Sequence, residues 1–330
     1  HTARHSFSSR LVIMSNNSSP PKSPTESLPT PKSPTESLEG YRNASKFADP
    51  TMVVEAWRRI LFILETTEYP PPDKKEVADA HVKLAIACKN VGENNNCRHN
   101  FERAQDLYSK HLGPDSEESL YTMRRMTMAG CGIRNEKDRL LCLRELLKRC
   151  TRALGENSTE TCATLYELGC ELEDAREFDE ANDIWKRCLT GRMKTLGPDH
   201  KDTLSAMNNL GSNFDSLGEY ERAMHMYENC LHRRERVLGT AHPDYLMTQM
   251  NVGALFMGGL NQNEKALGFF QQALEGYIAA LGKDDEDTKR CATNTALCLA
   301  KIGEDKQMLR KILSEFPHIA VGQPAILNYT

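Results

Sequence analysis

The sequence predicts an all-α fold, a solenoid of about six antiparallel helix pairs behind an N-terminal capping helix, and three observations carry that reading. A Leu-Gly pair stands at Leu112-Gly113, Leu154-Gly155, Leu196-Gly197, Leu238-Gly239 and Leu281-Gly282, in steps of 42, 42, 42 and 43 residues. Each period holds two apolar runs at helical spacing, separated by a break. Small side chains recur at matching places in both runs. A period of this size marks units that bury their apolar faces only by stacking, so at least three are needed for stability. A chain of 330 residues built this way needs no single globular core, and its length does not count domains.

The unit from Leu196 to Val237 shows the pattern best. Leu204, Met207, Leu210, Gly211 and Phe214 fall on one helical face, Gly218-Glu219 breaks the run, and Tyr220, Ala223, Met224, Tyr227, Cys230 and Leu231 form a second face. Gly211 and Ala223 stand where two backbones must approach, with Tyr227 filling the space beside them. This spacing resembles the tetratricopeptide repeat, whose positions four, seven, eight, eleven, twenty, twenty-four and twenty-seven correspond to Met207, Leu210, Gly211, Phe214, Ala223, Tyr227 and Cys230. The usual repeat has about 34 residues. Two further helical turns, roughly 12 Å, extend the second helix here. That longer form, with LNNLG-like first helices and LGPDHPD-like links, resembles the repeats of kinesin light chains over about residues 70 to 305. The resemblance implies a right-handed superhelix.

Along the chain, residues 1–48 read as a Ser- and Pro-rich leader without fold, in which PKSPTESL occurs twice. Within it, residues 1–13 have the Arg- and Ser-containing, acid-free composition of part of a transit peptide, and read equally as sequence upstream of a start at Met14. Ser23 and Ser33 each lie between Lys and Pro, as a proline-directed kinase requires, and an unmodified leader is the plainer alternative. The array is expected over 49–316. Its capping helix, 49–68, has Asp49 as N-cap, Pro50 in the first turn, and Val53, Val54, Trp57, Ile60, Leu61 and Leu64 on one face. Trp57 reads as core.

Repeats are expected to start near 70, 112, 154, 196, 238 and 281. The first aligns Leu84, Ala85, Gly92, Cys97 and Phe101 with Leu210, Gly211, Gly218, Ala223 and Tyr227. The second is degenerate, with Arg134 at the turn glycine and Arg139 at the small position twenty. The third restores the pattern with Leu168, Gly169, Ala181 and Trp185. The fifth shows Gly253, Ala266 and Phe270, and its extra residue falls around Asn261 to Asn263. The sixth keeps Ala296 and Gly303, a short helix from Lys306 to Phe316 closes the array, and 317–330 reads as a tail.

A formal net charge of −4 argues against nucleic acid as partner, and no run of about 18 apolar residues argues for a membrane span. None of the 11 cysteines makes a CxxC pair, and Cys97, Cys188 and Cys230 occupy small apolar repeat positions. This usage points to a reducing compartment, and with the resemblance to a cytoplasmic protein.

Function is expected on the first helices, which line the concave surface of such an array. Positions two, five, six, nine, twelve and thirteen offer Lys83 and Lys89, Arg124 and Arg125, then Tyr166, Glu167, Glu173 and Asp174. Repeats four to six offer Asn208, Asn209, Ser212 and Asp215, Met247, Met250, Asn251 and Met257, then Arg290 and Asn294. Asn209, Asn251 and Asn294 share position six, where amides hold a peptide backbone whatever its sequence. In kinesin light chains the asparagine of the matching motif contacts cargo peptides, which the resemblance carries to Asn209. A solvated polar stripe is the alternative. The groove is expected to run from basic in repeats one and two to acidic in repeat three, which suits an acidic protein or peptide partner.

No HExxH, GxSxG or P-loop lysine is present, so neither an enzyme nor a cofactor or metal is expected. His200 and His242 recur in one link and read as loop packing, and the HRRER run from His232 to Arg236 reads as a solvated helix end. The expected function is a non-enzymatic interaction scaffold or adaptor. Light chains also bind their motor heavy chain through N-terminal heptads, which the leader lacks, so motor attachment is left open. A clamp for a C-terminal carboxylate is disfavoured, because Val82 and Ile86 stand where its lysine and asparagine belong. The alternative of another class is a regulatory or self-associating subunit of an enzyme or signalling complex.

Overall fold

The links between repeats start helices by one device. Asp73, Ser116, Ser158, His200, His242 and Asp285 occupy the same place in successive links, and each side chain accepts a backbone N–H of the helix that follows. The recurring histidines therefore act as N-caps: Nδ1 of His200 accepts from the Asp202 amide at 3.2 Å, and that of His242 from Asp244 at 3.1 Å.

The computed structural model describes residues 49–67, 71–303 and 305–322, and among them every regular element is a helix. The helices fall into two units that divide between Ala175 and Arg176. The first unit holds α1 (Pro50–Thr66), α2 (Lys74–Asn90), α3 (Asn94–His111), α4 (Glu117–Met128), α5 (Glu136–Leu154) and α6 (Thr159–Asp174). The second holds α7 (Phe178–Thr195), α8 (Lys201–Ser216), α9 (Tyr220–Leu238), α10 (Pro243–Gly258), α11 (Asn263–Leu281), α12 (Glu286–Ile302), α13 (Lys306–Glu315) and α14 (His318–Gly322). The chain is an all-α repeat array, as its periodicity predicts. Ser23, Ser33 and both PKSPTESL copies lie outside the described residues.

Within a pair, size complementarity holds the two helices. A Cβ added to Gly211 on α8 would lie 2.8 Å from Cε1 of Tyr227 on α9, and one added to Gly253 on α10 would lie 2.8 Å from Cε1 of Phe270 on α11. Both rings are buried, so only glycine lets the helices close to this distance. The degenerate second repeat has Thr127 and Leu143 at the matching positions, and both are buried.

That repeat also differs in backbone. In repeat four, α8 stops at a left-handed Gly218, with Glu219 donating to the Phe214 carbonyl at 2.8 Å, and α9 starts at once. In repeat two the same pattern appears one helical turn earlier, at Gly130 and Cys131, with Cys131 donating to Met126 at 2.9 Å. A short loop through Gly132 to the N-cap Asn135 restores the length.

The HRRER segment is solvated at His232, Glu235 and Arg236 but not at Arg234. Arg234 is fully buried, its Nη1 donating to the Asp244 carbonyl at 2.5 Å and to Thr248 Oγ1 at 2.6 Å, while Arg233 and Arg236 both pair with Asp199. Arg192, at the same place one repeat earlier, donates to the Asp202 carbonyl at 2.7 Å. The long stem lets a guanidinium near the end of a second helix reach the exposed carbonyls of the next first helix.

Candidate functional site

In the first unit, helical spacing brings Asp79, Val82, Lys83 and Ile86 onto one face of α2. Glu117, Glu118 and Tyr121 of α4, Tyr108 of α3 and Glu160 of α6 complete the lining of an open cavity of about 430 Å³. The α2 residues stand at repeat positions two, five, six and nine, and Tyr121 at position two. Val82 and Ile86 give the lining an apolar strip where a carboxylate clamp would need charge and amide.

Most of the charges here have partners. Lys75 pairs with Glu118, which holds that carboxyl below its usual range. The Tyr108 hydroxyl donates to Asp79, and burial first, then this bond, pushes the phenol pKa up. Lys83 is exposed, with Nζ 4.8 Å from the Trp57 ring centre, so Trp57 is both core and a cation–π platform. Lys89 is exposed near the end of α2, and Glu117 is exposed at the start of α4.

Arg124 is 8% exposed, which removes it from the expected basic face. Its Nε and Nη2 donate to the two oxygens of Glu160 at 2.6 and 3.3 Å, and its Nη1 to Glu167 at 3.3 Å. Burial pushes the Glu160 carboxyl up, and the guanidinium offsets part of that rise. Arg125 is half-buried, with no partner for its Nε, and Tyr166 is half-buried on α6.

With Arg124 enclosed, repeats one and two do not present the expected basic stretch: both of their first helices carry acids and bases. α4 starts with Glu117 and Glu118, whereas α2 starts with Lys74 and Lys75 and carries Glu76 and Asp79 after them. Bases follow towards the other ends, Lys83 and Lys89 on α2 and Arg124 and Arg125 on α4. On α4 this arrangement complements the helix dipole, whereas the leading lysines of α2 oppose it.

In the second unit the asparagines are joined to one another. Asn251 Nδ2 donates to Asn208 Oδ1 at 3.1 Å, and Asn208 Nδ2 to Asn209 Oδ1 at 3.4 Å. Asn208 and Asn209 are each 1% exposed, because α7, α9 and α10 pack around α8, and Asn209 Nδ2 has no partner. The expected exposed column of Asn209, Asn251 and Asn294 is thus not formed: Asn251 and Asn294 are half-buried, and Asn209 is enclosed. Met250 and Met257 belong to the apolar core of this unit. Burial alone raises the pKa of Asp215, at the end of α8, to about 6.

Asp79, Tyr108, Glu117, Glu118, Tyr121 and Glu160 were not singled out from sequence. The usable signal was the 79, 82, 83, 86 spacing on α2.

The tetratricopeptide-repeat family profile matches residues 161–202 and 203–244, two adjoining periods in the phase of the array. Residues 161–244 carry tetratricopeptide repeats. Its fold resembles that of a kinesin light chain repeat array from Podosopora anserina, at 15% identity, covering 63% of this chain and 97% of that one, with a TM-score of 0.55. BtubC (BKLC) from P. vanneervenii is similar at 17% identity, covering 78% and 95%, with a TM-score of 0.59. A Rap protein complexed with competence and sporulation factor is similar at 12% identity, covering 90% and 78%, with a TM-score of 0.58. A search of curated proteins found no match. No described helix is long and apolar enough to cross a membrane.

Proposed function

We propose that this chain is a non-enzymatic scaffold that holds a peptide or extended partner segment against the first helices of its N-terminal unit, as an adaptor of the kinesin light chain kind located in the cytoplasm. The observation that carries this reading is the open cavity on α2, α4 and α6, lined by an apolar strip, two tyrosines, Lys83 and four carboxylates. The Rap neighbour, complexed with a factor, supports a ligand-holding use of such a fold. The acidic partner expected from the groove charges is narrowed: acidic groups suit Lys89 and Arg125, outside the cavity lining, and basic groups suit Glu117 within it. Motor attachment forms no part of the proposal.

A randomised-peptide screen against the full chain tests it, run beside Glu117→Lys and Lys89→Glu. Both substitutions are at exposed positions and leave the core intact. Enrichment of peptides with mixed charge, with each variant losing the complementary charge from its consensus, supports the groove. No enrichment, or an unchanged consensus in both variants, overturns it. Mass that rises with concentration would favour the self-associating subunit instead.

A further inference from the structure

The early stop of α4 has a chemical consequence. It places Cys131, half-buried at the end of that helix, with its sulfur 3.9 Å from that of Cys97, buried in the first turn of α3. The two residues come from neighbouring repeats. Cys88 also lies near Cys97, with its thiol directed to the Glu93 carboxylate at 3.6 Å. Among the described residues no group of three or more His, Cys, Asp or Glu side chains is arranged to hold a metal ion, which leaves thiol chemistry for the pair.

We infer that Cys97 and Cys131 form a reversibly oxidisable dithiol, closed to a disulfide by hydrogen peroxide. Closure brings the sulfurs from 3.9 Å to about 2.05 Å. The movement falls to the turn, because Cys131 stands between Gly130 and Gly132, both left-handed at φ 78, whereas Cys97 is fixed in a packed helix. Access orders the two steps. The more exposed Cys131 thiolate attacks a peroxide oxygen, the O–O bond breaks, a sulfenic acid forms, and the departing hydroxide takes up a proton as water. The Cys97 sulfur then attacks the Cys131 sulfur, the S–O bond breaks, and the Cys97 proton leaves with that hydroxyl as a second water. Each sulfur loses one electron and the peroxide gains two. Burial, with Cys131 beside it, pushes the Cys97 thiol up to about 12, so Cys97 suits the second step better than the first. As a property of the pair, this chemistry holds whether or not the groove takes a peptide.

The test treats the reduced full chain with equimolar hydrogen peroxide, then digests it without reductant and maps linked peptides by mass spectrometry. Wild type is expected to give a Cys97–Cys131 peptide lighter by one pair of hydrogens, reversed by dithiothreitol. Cys131→Ser should lose it completely, and Cys142→Ser, which removes the exposed thiol on α5, should keep it. Sulfinic or sulfonic acid at Cys131 with Cys97 still free overturns the inference. So does a link seen only in denaturant, or linkage dominated by Cys142 between chains. The wild-type map decides the matter even where a variant folds poorly.

Discussion

Arg124 with Glu167 in the first unit, and Asn208 with Asn251 in the second, are the same rung built twice. In both cases position five of one first helix donates to or accepts from position six of the next, 43 residues on, at 3.3 Å and 3.1 Å. One rung uses a guanidinium and a carboxylate, and the other uses two amides. The geometry of stacking thus selects a polar contact at this place, while local sequence chooses its chemistry. The difference lies in the cost of failure. A buried ion stripped of its partner is destabilising by several kcal/mol, whereas an unpaired amide costs about 1–3 kcal/mol.

The charged rung is therefore the place where the comparison breaks most visibly. Arg124→Ala leaves Glu160, whose side chain is 6% exposed, without its bidentate partner, and is expected to cost about 3–5 kcal/mol in urea unfolding. Arg124→Met combined with Glu160→Leu should recover most of that loss, since an apolar pair of similar volume removes the stranded charge. A cost for Arg124→Ala no larger than that of Lys110→Ala, in an exposed pair with Asp106, would show that the charged rung bears no more than a surface contact.

The amide rung should fail more gently. Asn251→Ala leaves Asn208 Oδ1 buried without its donor, and about 1–3 kcal/mol is expected, read by the same denaturant melts. Equal costs for Asn251→Ala and Arg124→Ala would erase the distinction between the two rungs.

The rungs also explain what the sequence disclosed and what it hid. The period, the helix pairs and the Gly211–Tyr227 fit were legible because each is a local pattern repeated at fixed spacing. The site was less legible. Arg124, Asn208 and Asn209 stand at positions named for a groove, yet whether such a side chain meets solvent or the next repeat depends on its neighbour 43 residues away. Asp79 and Glu117, by contrast, became part of a cavity through residues contributed by three first helices. Spacing within one helix carries no record of that meeting.

Asp215 sharpens the comparison from the opposite side, because it is a carboxyl on the amide-rich α8 with no cation to balance its burial. Its pKa is about 6 in the fold against an ordinary value of 3.8, raised by burial alone. The folded chain thus holds this proton more tightly than the unfolded one, so stability falls as pH rises from about 4 to about 6 and stays lower above that window. Asp215→Asn removes the ionising group. It should raise stability at pH 7 by on the order of 1–2 kcal/mol, less than a fully enclosed carboxyl would give, because the side chain keeps some contact with water. Below pH 4 the variant and the parent should unfold together, since both are then neutral at this site. Parallel melting curves across the whole range would mean that water reaches the carboxylate freely, and the uncompensated charge would no longer set the second unit apart from the paired charges of the first.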